Sequence, residues 1–201
     1  MSSRDNSQPS AGWDAKYLAS QSVWSLEPNQ FVAELDLPVG KMVDLAGGEG
    51  RNALHFARSG WEVENVEFSA VALAKFQERA AREGLSVTST LADAKDVQFQ
   101  LKPDLVVVAY LQLSWPDLSL ALDNALGQID SGVIFGVWHA ARNLTEGFGG
   151  PPSLEMLPTP EQLTDWAKSH QLDFEVSEKL REVQTETGPK TAIDVVLRAN
   201  I

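Results

Sequence analysis

The stretch Asp44-Leu-Ala-Gly-Gly-Glu-Gly-Arg-Asn52 sets the tightest limit on what this chain can fold into. A short apolar run, Lys41–Leu45, leads into it. The segment Arg51–Ser59 follows, with Ala53, Leu54 and Ala57 on one helical face and Gly60 at the C-terminal stop. A strand that enters glycines and then a helix lets backbone approach a ligand, because no Cβ stands between them. The helix start adds free N–H groups and a partial positive charge, which suit a carboxylate or phosphate.

The rest of the chain repeats this alternation, the mark of a parallel sheet covered by helices. Trp61–Phe68 reads as a second strand. Ser69 caps a helix carrying Leu73, Phe76 and Ala80, which Gly84 ends. Leu85–Leu91 alternates as a third strand. Asp104–Leu111 is apolar on both faces and therefore central. Pro116–Leu126 forms a helix with Leu118, Ala121, Leu122 and Ala125 buried, and Val133–Trp138 is another buried strand.

His139–Pro158 is a Gly/Pro-rich stretch, and loops of this length inside a compact domain are functional or mobile. Thr159 and Gln162 make a capping box with Pro160 at the first helical position, so a helix runs to about His170. Phe174–Val183 and Thr191–Arg198 flank a Thr187–Lys190 turn, which predicts an antiparallel hairpin. The expectation is one α/β domain over residues 13–201. It has a Rossmann-like, mostly parallel seven-stranded sheet, a C-terminal antiparallel hairpin and helices on both faces. Residues 1–12 read as a disordered tail, and 139–158 as a substrate-side loop.

Composition narrows the function. The 201 residues hold 28 acids against 16 Lys and Arg, a net charge of -12. Such a surface repels phosphate backbones and anionic membranes, so neither nucleic acid nor membrane is an expected partner. The longest strongly apolar run, Leu105–Leu111, falls far short of the ~20 residues of a membrane span. With no secretory signal and no cysteine, a cytoplasmic setting is expected, without disulfides, thiolate zinc or any other metal site. The sequence specifies no oligomeric state.

Three carboxylates follow three successive strands. Asp44 ends the first, where it can hold an ammonium directly or through water. Glu67 ends the second, where it can accept both hydroxyls of a ribose. Asp93 follows the third, where it can accept from an adenine amino group. Each alone reads as a solvated loop acid; together they match a ligand with an amine, a diol and an exocyclic amine but no phosphate. Gly48-Glu-Gly-Arg-Asn-Ala53 also fits the dinucleotide pattern GxGxxA, with Glu67 spaced as its ribose acid. Asp44 opposes that reading, because it would repel a pyrophosphate.

At these residues the chain resembles the class I S-adenosylmethionine-dependent methyltransferases, and among them the tellurite-resistance and thiopurine methyltransferases. The resemblance runs from Trp13 to about Arg198. It is carried by WDAKY (13–17), VWSLEPN (23–29), DLAGGEGRNA (44–53), VEFSAVAL (66–73), LADA (91–94) and VAYLQL (108–113). It implies S-adenosylmethionine as cofactor, S-adenosylhomocysteine as product and a small-molecule acceptor. It further implies that Ala46, Gly47, Gly48, Gly50 and Asn52 border the methionyl part, Glu67 the ribose, and Asp93 with Ala94 the adenine, on which Phe68 packs. Ala109 and Tyr110 would lie near the transferable methyl. Residues 13–37 would form a lid, bringing Tyr17 and Trp24 above the cofactor. Ala46 departs from the family's first glycine, which is tolerable at negative φ.

His139, after the fifth strand, is the candidate general base, because histidine titrates near neutral pH; a structural histidine or a pocket wall is the alternative. Tyr110 is the second catalytic candidate. His55 and His170 read as structural or surface residues. Trp13, Trp24, Trp115 and Trp138 read as core or lid packing near the pocket. Arg51 and Arg142 either steer an acidic acceptor or sit on the surface. Two other functions stay open: a nicotinamide-dependent Rossmann oxidoreductase, and a non-catalytic protein that keeps the cofactor site.

Overall fold

A computed structural model describes residues 8–20, 22–23 and 26–201. Seven strands form one sheet: β1 (Lys41–Leu45), β2 (Glu62–Glu67), β3 (Thr88–Leu91), β4 (Leu105–Ala109), β5 (Val133–His139), β6 (Asp173–Thr185) and β7 (Gly188–Asn200). Their order is β3-β2-β1-β4-β5-β7-β6. The first five run parallel, and β7 is antiparallel to both β5 and β6.

The helices are α1 (Gln8–Leu18), α2 (Gln30–Ala33), α3 (Arg51–Arg58), α4 (Ala70–Arg82), α5 (Trp115–Leu126), α6 (Asn143–Glu146) and α7 (Pro160–Ser169). Side chains of the central strands alternate between two cores, as strand geometry requires. Met42 and Val107 pack with Phe31, Leu54 and Phe76 of α2, α3 and α4 on one face. Val43, Val106 and Val108 pack with Leu118, Leu122, Leu163 and Trp166 of α5 and α7 on the other. None of the described helices is long and apolar enough to cross a membrane.

Local signals account for most boundaries. The Ser69 side chain accepts from the Ala72 N–H at the start of α4, and Thr159 and Gln162 form the expected capping box of α7. Three boundaries differ. β3 begins at Thr88, not Leu85. The hairpin turn is Glu186-Thr187, because Thr185 pairs with Gly188, and both strands run longer than predicted. α1 begins at Gln8, inside the segment read as a disordered tail. The 139–158 stretch carries α6 and a 3-10 turn at Leu154–Met156.

One polar residue inside the sheet shows how the β3 edge is held. Glu64 is fully buried and accepts from Thr90 Oγ1 (2.6 Å) and from the backbone N–H groups of Gln100 (2.8 Å) and Leu101 (2.9 Å). A carboxylate this deep survives only with such a set of donors. It ties β3 and the loop before β4 to β2, one strand from the candidate site.

Candidate active site

The carboxyl ends of β1, β2 and β4 meet at the strand-order reversal, where open α/β sheets bind ligands. A cavity of about 400 Å³ lies there. Its floor is the 46–50 loop, which is knitted to β2: Gly47 N–H donates to Val66 O (3.1 Å), Gly48 N–H to Glu67 Oε2 (3.0 Å), and Asn65 Nδ2 to Gly48 O (3.0 Å). The other Glu67 oxygen accepts from Ser69 N–H (3.0 Å). Burial pushes the Glu67 carboxyl up to about 6, against the pull of those N–H groups.

Most of the expected site residues converge on this cavity. Ala46, Gly47, Gly48 and Asn52 line its glycine side, and Glu67, Phe68, Asp93 and Ala94 its β2–β3 side. Ala109 and Tyr110 close the β4 end, and Tyr17 joins from α1. Of the described ones, three do not line it. Trp24 lies outside the described residues. Gly50 caps α3 in the left-handed region (φ 71°). Asp44 is fully buried beneath the loop, accepting from Ala53 N–H (3.1 Å), with Oδ1 unpartnered and burial pushing its carboxyl up to about 6. It thus lies off the cavity lining, where the sequence reading placed it to hold an ammonium directly or through water.

His139 is the third. Its ring lies against Tyr110, centroids 4.7 Å apart and planes tilted by 40°, and a Cβ on Gly150 would lie 2.8 Å from it. Tyr110 and the 147–150 loop thus cover it, and burial lowers its pKa. Arg142, exposed, pairs with Glu146 and Glu178 away from the cavity.

Ala46 has φ 57°, so the condition under which its methyl group was tolerable is not met. A left-handed non-glycine residue costs roughly 1–2 kcal/mol. Ala46→Gly releases that strain but loses about 0.5–1 kcal/mol to unfolded-chain entropy. The net gain, about 0.5–1 kcal/mol, corresponds to a rise of roughly 1–4 °C in Tm for a domain of this size, read by thermal denaturation. An unchanged or lower Tm shows that Ala46 is not strained.

Several contributors were invisible in the sequence. Glu49, inside the glycine motif, is buried and accepts from Ser22 Oγ and Val23 N–H (3.0 Å each). Lys75 Nζ bonds Glu49 (3.2 Å) and the carbonyls of Tyr17 (2.6 Å) and Ser20 (2.7 Å). Asp14 accepts from Ser69 Oγ. These bonds fasten the N-terminal segment over the cavity, which Trp13 and Tyr17 also line.

Asn29 anchors the next stretch. Its N–H donates to Asn52 Oδ1, and its Nδ2 to the Tyr110 hydroxyl, each at 3.0 Å. That hydroxyl donates to Asp194 Oδ2 (2.8 Å), which also takes Arg181 Nε (2.6 Å). Tyr110, at φ 59°, is a bulky residue in the left-handed region, held by these bonds. Burial and the adjacent Asp194 charge push its phenol up, in keeping with a hydroxyl that holds its proton as the donor to Asp194.

Residues 42–131 match a family model described as a methyltransferase domain. No curated protein matches the chain. Among solved structures, one from work on converting a disulfide bond into a thioacetal group in echinomycin biosynthesis shares 18% identity (TM-score 0.80). The match covers 96% of this chain and 92% of that one. TehB from Haemophilus influenzae shares 20% (TM-score 0.65; 80% of this chain, 57% of that one). Magnesium protoporphyrin IX methyltransferase from Synechocystis PCC 6803 shares 13% (TM-score 0.66; 100% and 89%). Over residues 42–131 the chain thus matches a methyltransferase domain, and its fold is the one shared by these solved structures.

Proposed function

We propose that this protein transfers a methyl group from S-adenosylmethionine to a small-molecule acceptor. One observation carries the reading: the Gly48 N–H, which a pyrophosphate would need, already donates to Glu67, whose carboxylate faces the same cavity. That pairing repels phosphate and suits a diol, which speaks against the nicotinamide alternative. The similar structures include a methyltransferase with S-adenosylhomocysteine bound.

The residues present fit the donor. Each Glu67 oxygen spends one acceptor site on backbone and retains another for a ribose hydroxyl. Phe68, Ala92, Ala94 and Leu113 give an apolar wall for adenine, and Asp93 lies beside it for the exocyclic amine. Asp44, with its free oxygen below the loop, keeps that end of the cavity negative, as an ammonium requires.

When bound, S-adenosylmethionine supplies a methyl group whose bond pair stays on sulfur while an acceptor lone pair forms the new bond. The protein's work is then alignment, which can contribute about 7–11 kcal/mol, and exclusion of water. Trp13 and Tyr17 exclude water from above. Asn29 and Asp194 fix the Tyr110 ring at the β4 end, and His139 supports that ring from behind without reaching the cavity. A thiolate, carboxylate or chalcogen anion reacts in such a site without a base.

Calorimetry with S-adenosylhomocysteine and with NADH tests the assignment. Uptake of the first and not the second is expected, followed by radiolabelled methyl transfer to at least one member of a thiol, chalcogen, phenol, amine and carboxylate series. Uptake of NADH alone restores the oxidoreductase. Tight S-adenosylhomocysteine binding with no transfer to any acceptor favours the non-catalytic reading.

A further inference from the structure

The surroundings of Tyr110 are more positive than the methyl-transfer reading requires. Arg51, the first residue of α3, reaches from the glycine loop toward β4, its guanidinium carbon 5.8 Å from the Tyr110 ring centre. Arg181, from β6, lies 5.5 Å from the same centre. Two carboxylates act on Arg51: Asp44, buried beneath the loop, and Asp194, which Arg181 already engages at 2.6 Å and the Tyr110 hydroxyl at 2.8 Å. Among the described residues, no carboxylate lies within 4.0 Å of Arg51. Asp194 is thus taken up by Arg181 and Tyr110, Asp44 lies buried beneath the loop, and Arg51, which neither carboxylate touches, lines the cavity.

We propose that Arg51 seats a carboxylate of the methyl acceptor, so that the enzyme takes an acidic small molecule. Three features support this. A guanidinium presents a planar fork that matches a carboxylate bidentately. Arg51 is largely withdrawn from water, and that burial lowers its pKa. An unpaired cation so placed is destabilising until an anion arrives. The chain carries 28 acids against 16 bases, so a positive end to this cavity runs against the overall charge.

Position argues for the acceptor over the donor. Arg51 leans to the β4 end with Tyr110, Arg181 and Asp194 for company. Arg79, another lining cation, rises from α4 on the β2 side. Because the proposal rests on the methyltransferase reading, donor binding is measured first; a protein that takes up no S-adenosylhomocysteine sinks that reading before any carboxylate is added.

The probes are acetate, benzoate and indole-3-acetate, each beside its neutral amide, titrated into S-adenosylhomocysteine-saturated protein and followed by tryptophan fluorescence or ligand NMR. At least one acid is expected to bind while its amide does not. Arg51→Met should weaken that acid about 10–100-fold, the worth of a charged hydrogen-bonded contact. S-adenosylhomocysteine affinity stays within about threefold on the same reasoning, and Arg51→Lys restores part of the acid affinity because it keeps the charge without the fork. Acids and amides binding alike, no acid binding, or acid affinity unmoved in Arg51→Met overturns the proposal. So does a loss of S-adenosylhomocysteine affinity in Arg51→Met with 5′-methylthioadenosine, which lacks the carboxylate, unaffected: Arg51 then serves the donor.

Discussion

Gly50→Ala is expected to lower Tm by roughly 4–20 °C and to weaken cofactor uptake with it. Gly50 sits at φ 71°, where an alanine costs roughly 1–2 kcal/mol in backbone strain alone. Its added Cβ would also lie 2.1 Å from Phe76 Cδ2, and Phe76 is fully buried in the core between α4 and the sheet. Neither ring nor backbone can retreat, so overpacking adds about 1–3 kcal/mol. At about 2–4 °C per kcal/mol for this chain length, the two contributions give the stated range. Gly84→Ala is the control, because it has the same handedness (φ 68°) but open space around the new methyl. It should lose only the backbone part, about 1–2 kcal/mol. Equal Tm losses in the two variants would show that the Phe76 contact relaxes freely and that the glycine is conformational only.

That pairing of Gly50 with Phe76 shows where the sequence could be read and where it could not. The period of Leu73, Phe76 and Ala80 announces the buried face of α4, and the glycines announce a tight bend. Local signals of this kind recover every strand and the α3, α4, α5 and α7 helices, because each depends on a few neighbouring residues. The central position of β4 was legible because only a strand covered on both faces stays apolar from Leu105 through Ala109. The site was legible to the same depth: Glu67, Phe68, Asp93 and Ala94 follow strand ends, and strand ends in this order converge.

Contacts between distant segments were not legible. Asp194, Arg181 and Tyr110 meet only after the hairpin folds back beside β5, and no local pattern marks that meeting. Glu49 and Lys75 are separated by a strand and a helix, so their clasp on the N-terminal segment emerges only in three dimensions. His139 illustrates the opposite error. A strand end places its backbone near the ligand, but Tyr110 and Gly150 decide what its ring can touch. Asp44 is a related case: its alternation faces it under the loop, where the backbone of Ala53 claims one oxygen and the other has no partner.

Glu67, an acid that does line the cavity, yields the second large effect: Glu67→Gln is expected to weaken S-adenosylhomocysteine binding at least about 100-fold at pH 7.5, as the loss of two charge-assisted hydrogen bonds implies. The fold should persist, since glutamine keeps the volume and one backbone acceptor. The pH profile gives the sharper readout. Unliganded Glu67 titrates at about 6, raised chiefly by burial from an ordinary 4.5, with Asp44 adding a like charge nearby. Hydroxyl donors favour the charged carboxylate, so binding below pH 6 must expel a proton and affinity falls by up to about tenfold per pH unit. Without ligand the sign reverses. The folded carboxyl holds its proton more tightly than the unfolded one, so between about pH 4.5 and 6 rising pH costs stability, by about 2 kcal/mol from this residue. The ligand-induced rise in Tm should therefore grow from pH 5 to pH 7, and Glu67→Gln should flatten it. A wild-type affinity constant across that range would mean that the Glu67 carboxylate faces solvent and that its place beside the ribose is wrong.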